Sequence, residues 1–550
     1  MTPHTTSSSA SQPPKRSLLS ASLLIAGLVL VAKFLGFARD WVMVQVYGLS
    51  VASDAYLAAF QLPQFALILL GGLGGPFHTA TVAVLGKLLQ QPNHHAHVRR
   101  LSALFVTLTG VVFAVASVAV YLYALPIMST ILGLPVIAGE PLPPLLAAAS
   151  QQLKVMSPIL LIGGVVGIFY GALNVVHVYA WPTLSPTVMN LVMIVALLAF
   201  PTDSTGLLLA WSSLVGAACQ LLAQWPQYTQ KGFGTLAFKL HDEDKPLLKE
   251  WLTLLLPAML GSTMGQVMSY VDLFFAARLP EGTWSAVTLA NRVMQLPIGV
   301  LQTALLIPLF PRLVELVTQR DDEALRASVV KGMGGVWLLS LPLIWVFLFL
   351  GEPLIRLVFG YGRFEAGDVA LVTVALVFQL GQLLPYFVRD TLTRVFYAFG
   401  DSLTPLWVGI LAIGLKFGLN WLFIDYLKAF AVEGITLSIT LVTLFNMGLL
   451  GWLLRYRYQL GLPWLTWIKL LGRLGVASLA VALPCYAAKH FHWLTVETPR
   501  LQAVGILALL ALISVVGYTL MLKWVGLFEY ITPVLEKVRH KLFKGRSPSP

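Results

Sequence analysis

Runs of about 20 apolar residues recur along the whole chain, and each is long enough to cross a hydrocarbon core of roughly 30 Å. A backbone in lipid has no water to bond to, so its N–H and C=O groups must be satisfied internally, and helices do this within one segment. The chain has 550 residues, 57% of them hydrophobic and only 11% charged, where soluble domains carry roughly 25% charged residues. The expected fold class is therefore an all-α polytopic membrane protein with about fourteen transmembrane helices, centred on 17–38, 54–73, 101–125, 152–174, 184–200, 206–225, 251–277, 285–310, 329–350, 370–398, 404–424, 432–453, 465–488 and 502–524. Pro63 and the glycines Gly71, Gly72, Gly74 and Gly75 predict a kink or break in the second run.

The net charge of +12 is no sign of nucleic-acid binding in such a chain, because excess Lys and Arg gather in cytoplasmic loops. An even number of spans puts both termini on one side. With that side taken as the cytoplasm, the inner loops hold Lys15, Arg16, Lys87, Arg99, Arg100, Lys231, Lys239, Lys245 and Lys249, then Arg312, Arg320, Arg326, Arg455 and Arg457. The outer loops hold chiefly Arg356, Arg363, Lys428 and Arg500, which predicts N-in, C-in. Residues 1–16, polar and rich in Ser and Pro, are expected to be a disordered cytoplasmic stretch. The run that follows reads as a retained first helix. The 525–550 tail is basic and cytoplasmic on this reading. Cys219 and Cys485 lie in separate apolar runs and suggest neither a disulfide framework nor a thiolate site.

Three short matches suggest that the chain repeats itself. AAFQLPQ at 58–64 returns as RVMQLPI at 292–298, an offset of 234, and GIFYGALN at 167–174 returns as RVFYAFGD at 394–401, an offset of 227. Asp40 has a loose counterpart in Asp272, at an offset of 232. The common spacing predicts two pseudo-repeated six-helix lobes, 17–225 and 251–453, joined by a cytoplasmic loop at 226–250, with two further helices in 454–524. Transporters built from such halves bind substrate between them.

Ionisable groups inside a span cost roughly 2.5–3.5 kcal/mol each on insertion scales, and they face a cavity or a partner. The first span carries Lys33, with Arg39 and Asp40 at its end; Asp54 opens the second, and Arg292 lies well inside the eighth. If the halves pack face to face, Lys33, Arg39 and Arg292 line one central cavity. Cationic walls ask for an anionic substrate, and the arginine fork suits phosphate oxygens. Asp40 and Asp54 would hold those cations in place or gate by pairing with them. Asp272, with Lys416 and Asn420 one turn apart on the eleventh span, forms a second set. It reads either as a neutralised internal pair or, if the lysine releases the acid, as an ion-coupling site. Arg389 and its neighbour Asp390 read as a structural pair, and Lys469 and Arg473 as groups that snorkel to the headgroups.

No P-loop, no G-x-S-x-G elbow and no clustered metal-ligand set stands in the sequence. The histidines of QQPNHHAHVRR read as a solvated loop. The expectation is a transporter with no cofactor and no metal, driven by an ion gradient, the membrane potential or the substrate gradient.

KFLGFARDWVMVQVYGLSVASDAYLAAFQLP (33–63), ANRVMQLPIGVLQTALLIPLFPRL (290–313), YGRFEAGDV (361–369) and FYAFGDSLTPL (396–406) resemble the signature regions of the MurJ (MviN) family of lipid II flippases. The resemblance runs over nearly the whole chain. It implies the multidrug/oligosaccharidyl-lipid/polysaccharide (MOP) exporter superfamily, two six-helix lobes about a V-shaped cavity, and a lipid-tail groove shaped by the helices in 454–524. It also implies alternating access, with lipid II, an undecaprenyl-diphosphate-linked peptidoglycan precursor, carried from the inner to the outer leaflet of the bacterial plasma membrane. The partners implied are lipid II or a related polyprenyl-diphosphate glycolipid, membrane lipids and the cell-wall synthesis machinery. By position the family's cavity arginines fall on Lys33, Arg39 and Arg292, and its cavity acid on Asp54. The second span departs from the family: FALILLGGLGGPFHTA (65–80) carries no arginine pair and no glutamate. Some relatives resemble sodium-binding proteins, with ligands on spans seven, eleven and twelve; here Asp272 remains and Lys416 stands at what resembles a ligand position, so its ammonium is expected to replace the ion. The alternatives are a flippase for another polyprenyl-diphosphate oligosaccharide, a multidrug exporter of the same superfamily, a membrane enzyme acting on polyprenyl-linked glycans, and a structural partner in cell-wall assembly. A drug exporter for organic cations would want an acidic or aromatic cavity, and this one reads as basic.

Overall fold

The computed structural model describes residues 15–70, 72, 75–91, 95–200, 203–428, 430–495 and 498–528. Of the stretch expected to be disordered, 1–16, residues 1–14 lie outside them, as do nearly all of the basic tail, Gly71 and Gly74; Lys15 and Arg16 instead begin the first helix. Helices account for the regular structure of the described residues: α1 (Lys15–Tyr47), α2 (Val51–Gln64), α3 (Pro76–Leu88), α4 (His95–Leu122), α5 (Ala124–Leu132), α6 (Pro144–Met156), α7 (Ile159–Val175), α8 (Ala180–Ala199), α9 (Leu207–Gln230), α10 (Lys245–Ala276), α11 (Thr283–Leu301), α12 (Ile307–Gln319), α13 (Asp322–Phe359), α14 (Ala366–Gln379), α15 (Leu383–Ala398), α16 (Leu403–Asn420), α17 (Val432–Tyr458), α18 (Trp464–His490) and α19 (Arg500–Trp524). Three π turns interrupt the pattern, at Phe65–Leu70, Gln302–Leu306 and Trp421–Tyr426.

Among the described residues nine helical stretches are long and apolar enough to span a bilayer: α4, α8, α9, α13, α14 with α15, α16 with its π turn, α17, α18 and α19. The α6–α7 pair, bent by 44°, makes a tenth if it is one span. The remaining apolar runs fall on α1, on α2 with its π turn, on α10, and on α11 and α12 with the π turn between them. Fourteen crossings are compatible with this arrangement. The first two π turns follow prolines inside a helix, Pro63 and Pro297. A proline removes one backbone bond, and the wider turn restores the ladder a few residues later.

The chain forms two compact units. The first comprises Met1–Met43, Ala58–Met128 and Leu142–Thr263. Its aromatic core stacks Phe105 on Trp251 with ring centroids 4.5 Å apart, and Phe169 on Tyr228 at 3.8 Å. Trp251 donates its indole N–H to Thr81 Oγ1 at 3.2 Å, and Tyr228 donates its hydroxyl to the Gly234 carbonyl at 3.0 Å. Buried aromatic rings thus keep their polar handles satisfied. Gly163 lets α7 lie against the first π turn: a Cβ there would sit 2.7 Å from the backbone of Ala66 and Leu67.

The second unit comprises Val44–Leu57, Ser129–Pro141 and Met264–Pro550. Here α13 packs on α18, α18 on α19, α11 on α14, and α17 on both α15 and α16. Trp345 donates to Ser478 Oγ at 2.9 Å and Tyr518 to the Leu338 carbonyl at 2.7 Å, tying the two C-terminal helices to α13.

Candidate functional site

The second unit holds a carboxylate seated on a helix start. Asp54, 5% exposed, lies in the first turn of α2. Its Oδ2 accepts the Gly282 N–H at 2.8 Å, and its Oδ1 accepts the Ser285 N–H at 2.7 Å and the Ser285 hydroxyl at 2.5 Å. Gly282 is the N-cap of α11, at φ 81°. That left-handed conformation suits glycine, and Leu49 leaves a Cβ only 2.7 Å of room there. α11 has no side-chain cap of its own, so a residue more than 200 positions away supplies the anion that its first N–H groups and its dipole favour. The bonds of Asp54 therefore go to a helix start and a hydroxyl, where the sequence suggested a cation. Nearby, Gln45 donates its amide to the Phe359 carbonyl at 2.7 Å and accepts the Arg363 N–H at 3.0 Å. The end of α1 is thus bonded to the end of α13 and to the loop that follows it. No local pattern marks Ser285, Gln45 or Arg363, apart from a glycine before α11.

Deeper in the same unit, Lys416 on α16 places its ammonium 2.6 Å from Asp272 Oδ2 on α10, each side chain 7% exposed. Asn420, one turn after Lys416, donates its amide to Asp272 Oδ1 at 3.2 Å, and its own Oδ1 is buried with no partner among the described residues. Lone charges at this depth would be costly, and pairing is the remedy. The three residues meet as a set. Arg292 is half-buried on α11 of the same unit.

The first unit carries the other cations. Arg39 closes on its chain neighbour Asp40, with Nη2 2.6 Å and Nε 3.0 Å from Oδ1, and Asp40 is buried. Lys33, six residues earlier on α1, is exposed. On α15 of the second unit, Arg389 does not pair with Asp390. Asp390 pairs instead with Arg394, one turn on, at 3.0 Å. In the loop before α10, Asp244 is fully buried under Arg100, which reaches its two oxygens at 2.9 and 3.1 Å, and His97, at 2.9 Å, adds a second contact. His97 thus has a specific partner where the sequence suggested a solvated loop. Among the described residues no group of three or more His, Cys, Asp or Glu could hold a metal ion.

Apolar helices interrupted by π turns, with paired charges inside them, define a polytopic membrane protein. The fold matches solved structures of that kind: one described as "Lipid II flippase MurJ, inward closed conformation" (TM-score 0.71, 17% identity, 91% of this chain and 99% of that one), and an inward-facing multidrug resistance MATE family transporter of the MOP superfamily (TM-score 0.63, 15% identity, 80% and 98%). The family model "Lipid II flippase MurJ" matches residues 43–504, and the chain belongs to that family. A probable lipid II flippase MurJ from Synechocystis sp. is 30% identical over 86% of this chain and 88% of its own length. The lipid II flippase MurJ of Burkholderia cenocepacia is 26% identical over 94% and 98%. Membership makes the chain a multi-pass inner-membrane transporter rather than an enzyme.

Proposed function

We propose that this protein moves lipid II, the undecaprenyl-diphosphate-linked peptidoglycan precursor, from the inner to the outer leaflet by alternating access. The observation that carries this reading is the family match across residues 43–504. Arg39 and Arg292 grip the diphosphate through charge-assisted, fork-shaped hydrogen bonds, and Lys33 adds a point charge. Both termini face the cytoplasm, as the loop charges favour. On that orientation Asp54 sits toward the outer side, and its bonds to Gly282 and Ser285 act as a latch that must open for release. Asp272, Lys416 and Asn420 form an internal pair in which the ammonium does the work of a bound cation. The helices α18 and α19 line the groove for the prenyl tail. The cell-wall synthesis machinery draws on the flipped product.

The test is replacement of a lipid II flippase in a depletion strain. The parent chain restores growth, and Arg39→Ala and Arg292→Ala at equal expression do not. Failure of the parent sinks the substrate assignment; full rescue by both variants sinks the site.

A further inference from the structure

We propose that Arg389 is a second phosphate-binding residue of the second unit, held at a different depth from Arg292 by Tyr386 and Gln302. The inference deepens the flippase reading and rests on it.

Arg389 lies on α15, inside the apolar stretch Ala366–Ala398. From 389 to the helix end at Ala398 the axis runs about 14 Å at 1.5 Å per residue. The side chain is half-buried, and among the described residues no carboxylate lies within 4 Å of it, since Asp390 belongs to Arg394. Snorkelling toward the end at Ala398 would take the guanidinium forward along the helix. It lies backward instead, its central carbon 4.6 Å from the centroid of the Tyr386 ring, one turn toward Leu383. The Tyr386 hydroxyl in turn accepts the Gln302 amide N–H at 3.1 Å.

A cation–π contact is worth about 0.5–2 kcal/mol and leaves the five N–H donors of an arginine largely unspent. An arginine at membrane depth with a ring for company and no counter-ion is arranged to meet water or an anion. The tyrosine fixes the plane of the fork, and the glutamine fixes the tyrosine. Gln302 opens the π turn that follows α11, the helix bearing Arg292. From 292 to 302 the chain advances about 15 Å, so the two arginines stand at different depths of one unit. With the termini inside, α15 ends toward the cytoplasm. A diphosphate entering from that side meets Arg389 before Arg292, and the headgroup then moves from one fork to the next.

The experiment measures equilibrium binding of undecaprenyl diphosphate and undecaprenyl monophosphate to the purified full-length protein. Arg389→Met is expected to weaken diphosphate binding about tenfold and monophosphate binding less, Arg389→Lys to recover part of the loss, and Asp390→Asn to bind as wild type. Tyr386→Phe keeps the ring and loses the hydroxyl that accepts the Gln302 amide, and it is expected to weaken diphosphate binding several-fold with the fold intact. Wild-type diphosphate binding by both Arg389→Met and Tyr386→Phe overturns the inference and leaves the flippase reading standing. A wild-type protein that binds neither lipid overturns both.

Discussion

The ammonium of Lys416 stands 2.6 Å from a carboxylate oxygen of Asp272, and each side chain is 7% exposed. Two such groups stabilise each other only as a pair. Removing one leaves the other charged and buried, at a cost of about 3–5 kcal/mol, while removing both is close to neutral. Lys416→Met and Asp272→Asn should each lower the melting temperature in detergent, and the double variant should recover most of the loss. Additive losses in the double variant would show that the two groups do not act as a pair.

The same pair bears on ion dependence. If the ammonium stands in for a bound cation, wild-type transport in proteoliposomes proceeds at the same rate with sodium replaced by a bulky organic cation. Loss of activity on sodium removal, with Lys416→Ala unaffected, would contradict this.

If the bonds of Asp54 to Gly282 and Ser285 act as the proposed latch, its strength is measurable. A carboxylate at a helix start is worth about 0.5–2 kcal/mol, so Asp54→Ala should shift a closed–open equilibrium several-fold toward open. Ala52, 4% exposed, reports it. In a variant lacking the two native cysteines, Ala52→Cys should react faster with an impermeant maleimide when Asp54 is Ala. Equal rates would mean that the latch carries no load.

Outside the spans, Asp401 gives a pH signature. Partial burial pushes its carboxyl up, but hydrogen bonds from the Thr404 hydroxyl and N–H and from Tyr458, with the charge of Arg457, outweigh it and hold the group below 3.8. A depressed carboxyl contributes stability that is present above its ordinary value and lost as pH falls through the lower folded value. The melting-temperature gap between wild type and Asp401→Asn should therefore stay constant above about pH 5 and close as the pH drops below 3.8. A gap that widens in acid would reverse the sign.

Gly163→Ala tests the seat of the first π turn. The added Cβ meets the backbone of Ala66 and Leu67 at 2.7 Å, which neither can vacate cheaply, and overpacking costs about 1–3 kcal/mol. The variant should melt lower, and Gly110→Ala, whose added Cβ would have its nearest neighbour 3.9 Å away, serves as its control.

What the sequence disclosed follows from how local each cause is. Lipid imposes continuous apolar runs, so the helices were legible from hydropathy alone. Asp272 and Lys416 stood out because unlike charges inside such runs are each costly and few. Arg39 and Asp40 meet as chain neighbours, while the adjacency of Arg389 and Asp390 misled, where the pair forms one turn on. The bonds from Asp54 to Ser285 and from Gln45 to Arg363 join segments far apart in the chain, and no local pattern encodes them. Pro63 foretold an interruption near Phe65. Nothing comparable precedes Trp421, where the third π turn follows Asn420 directly.

Binding of lipid II to the purified wild type, Arg39→Ala, Arg292→Ala and the double variant tests the central claim most directly, with the same lipid bearing a single phosphate as the comparison. The account expects each single change to weaken binding about tenfold, the double change to weaken it further, and the preference for diphosphate over monophosphate to shrink with each. Unchanged affinity and unchanged preference in the double variant would contradict it.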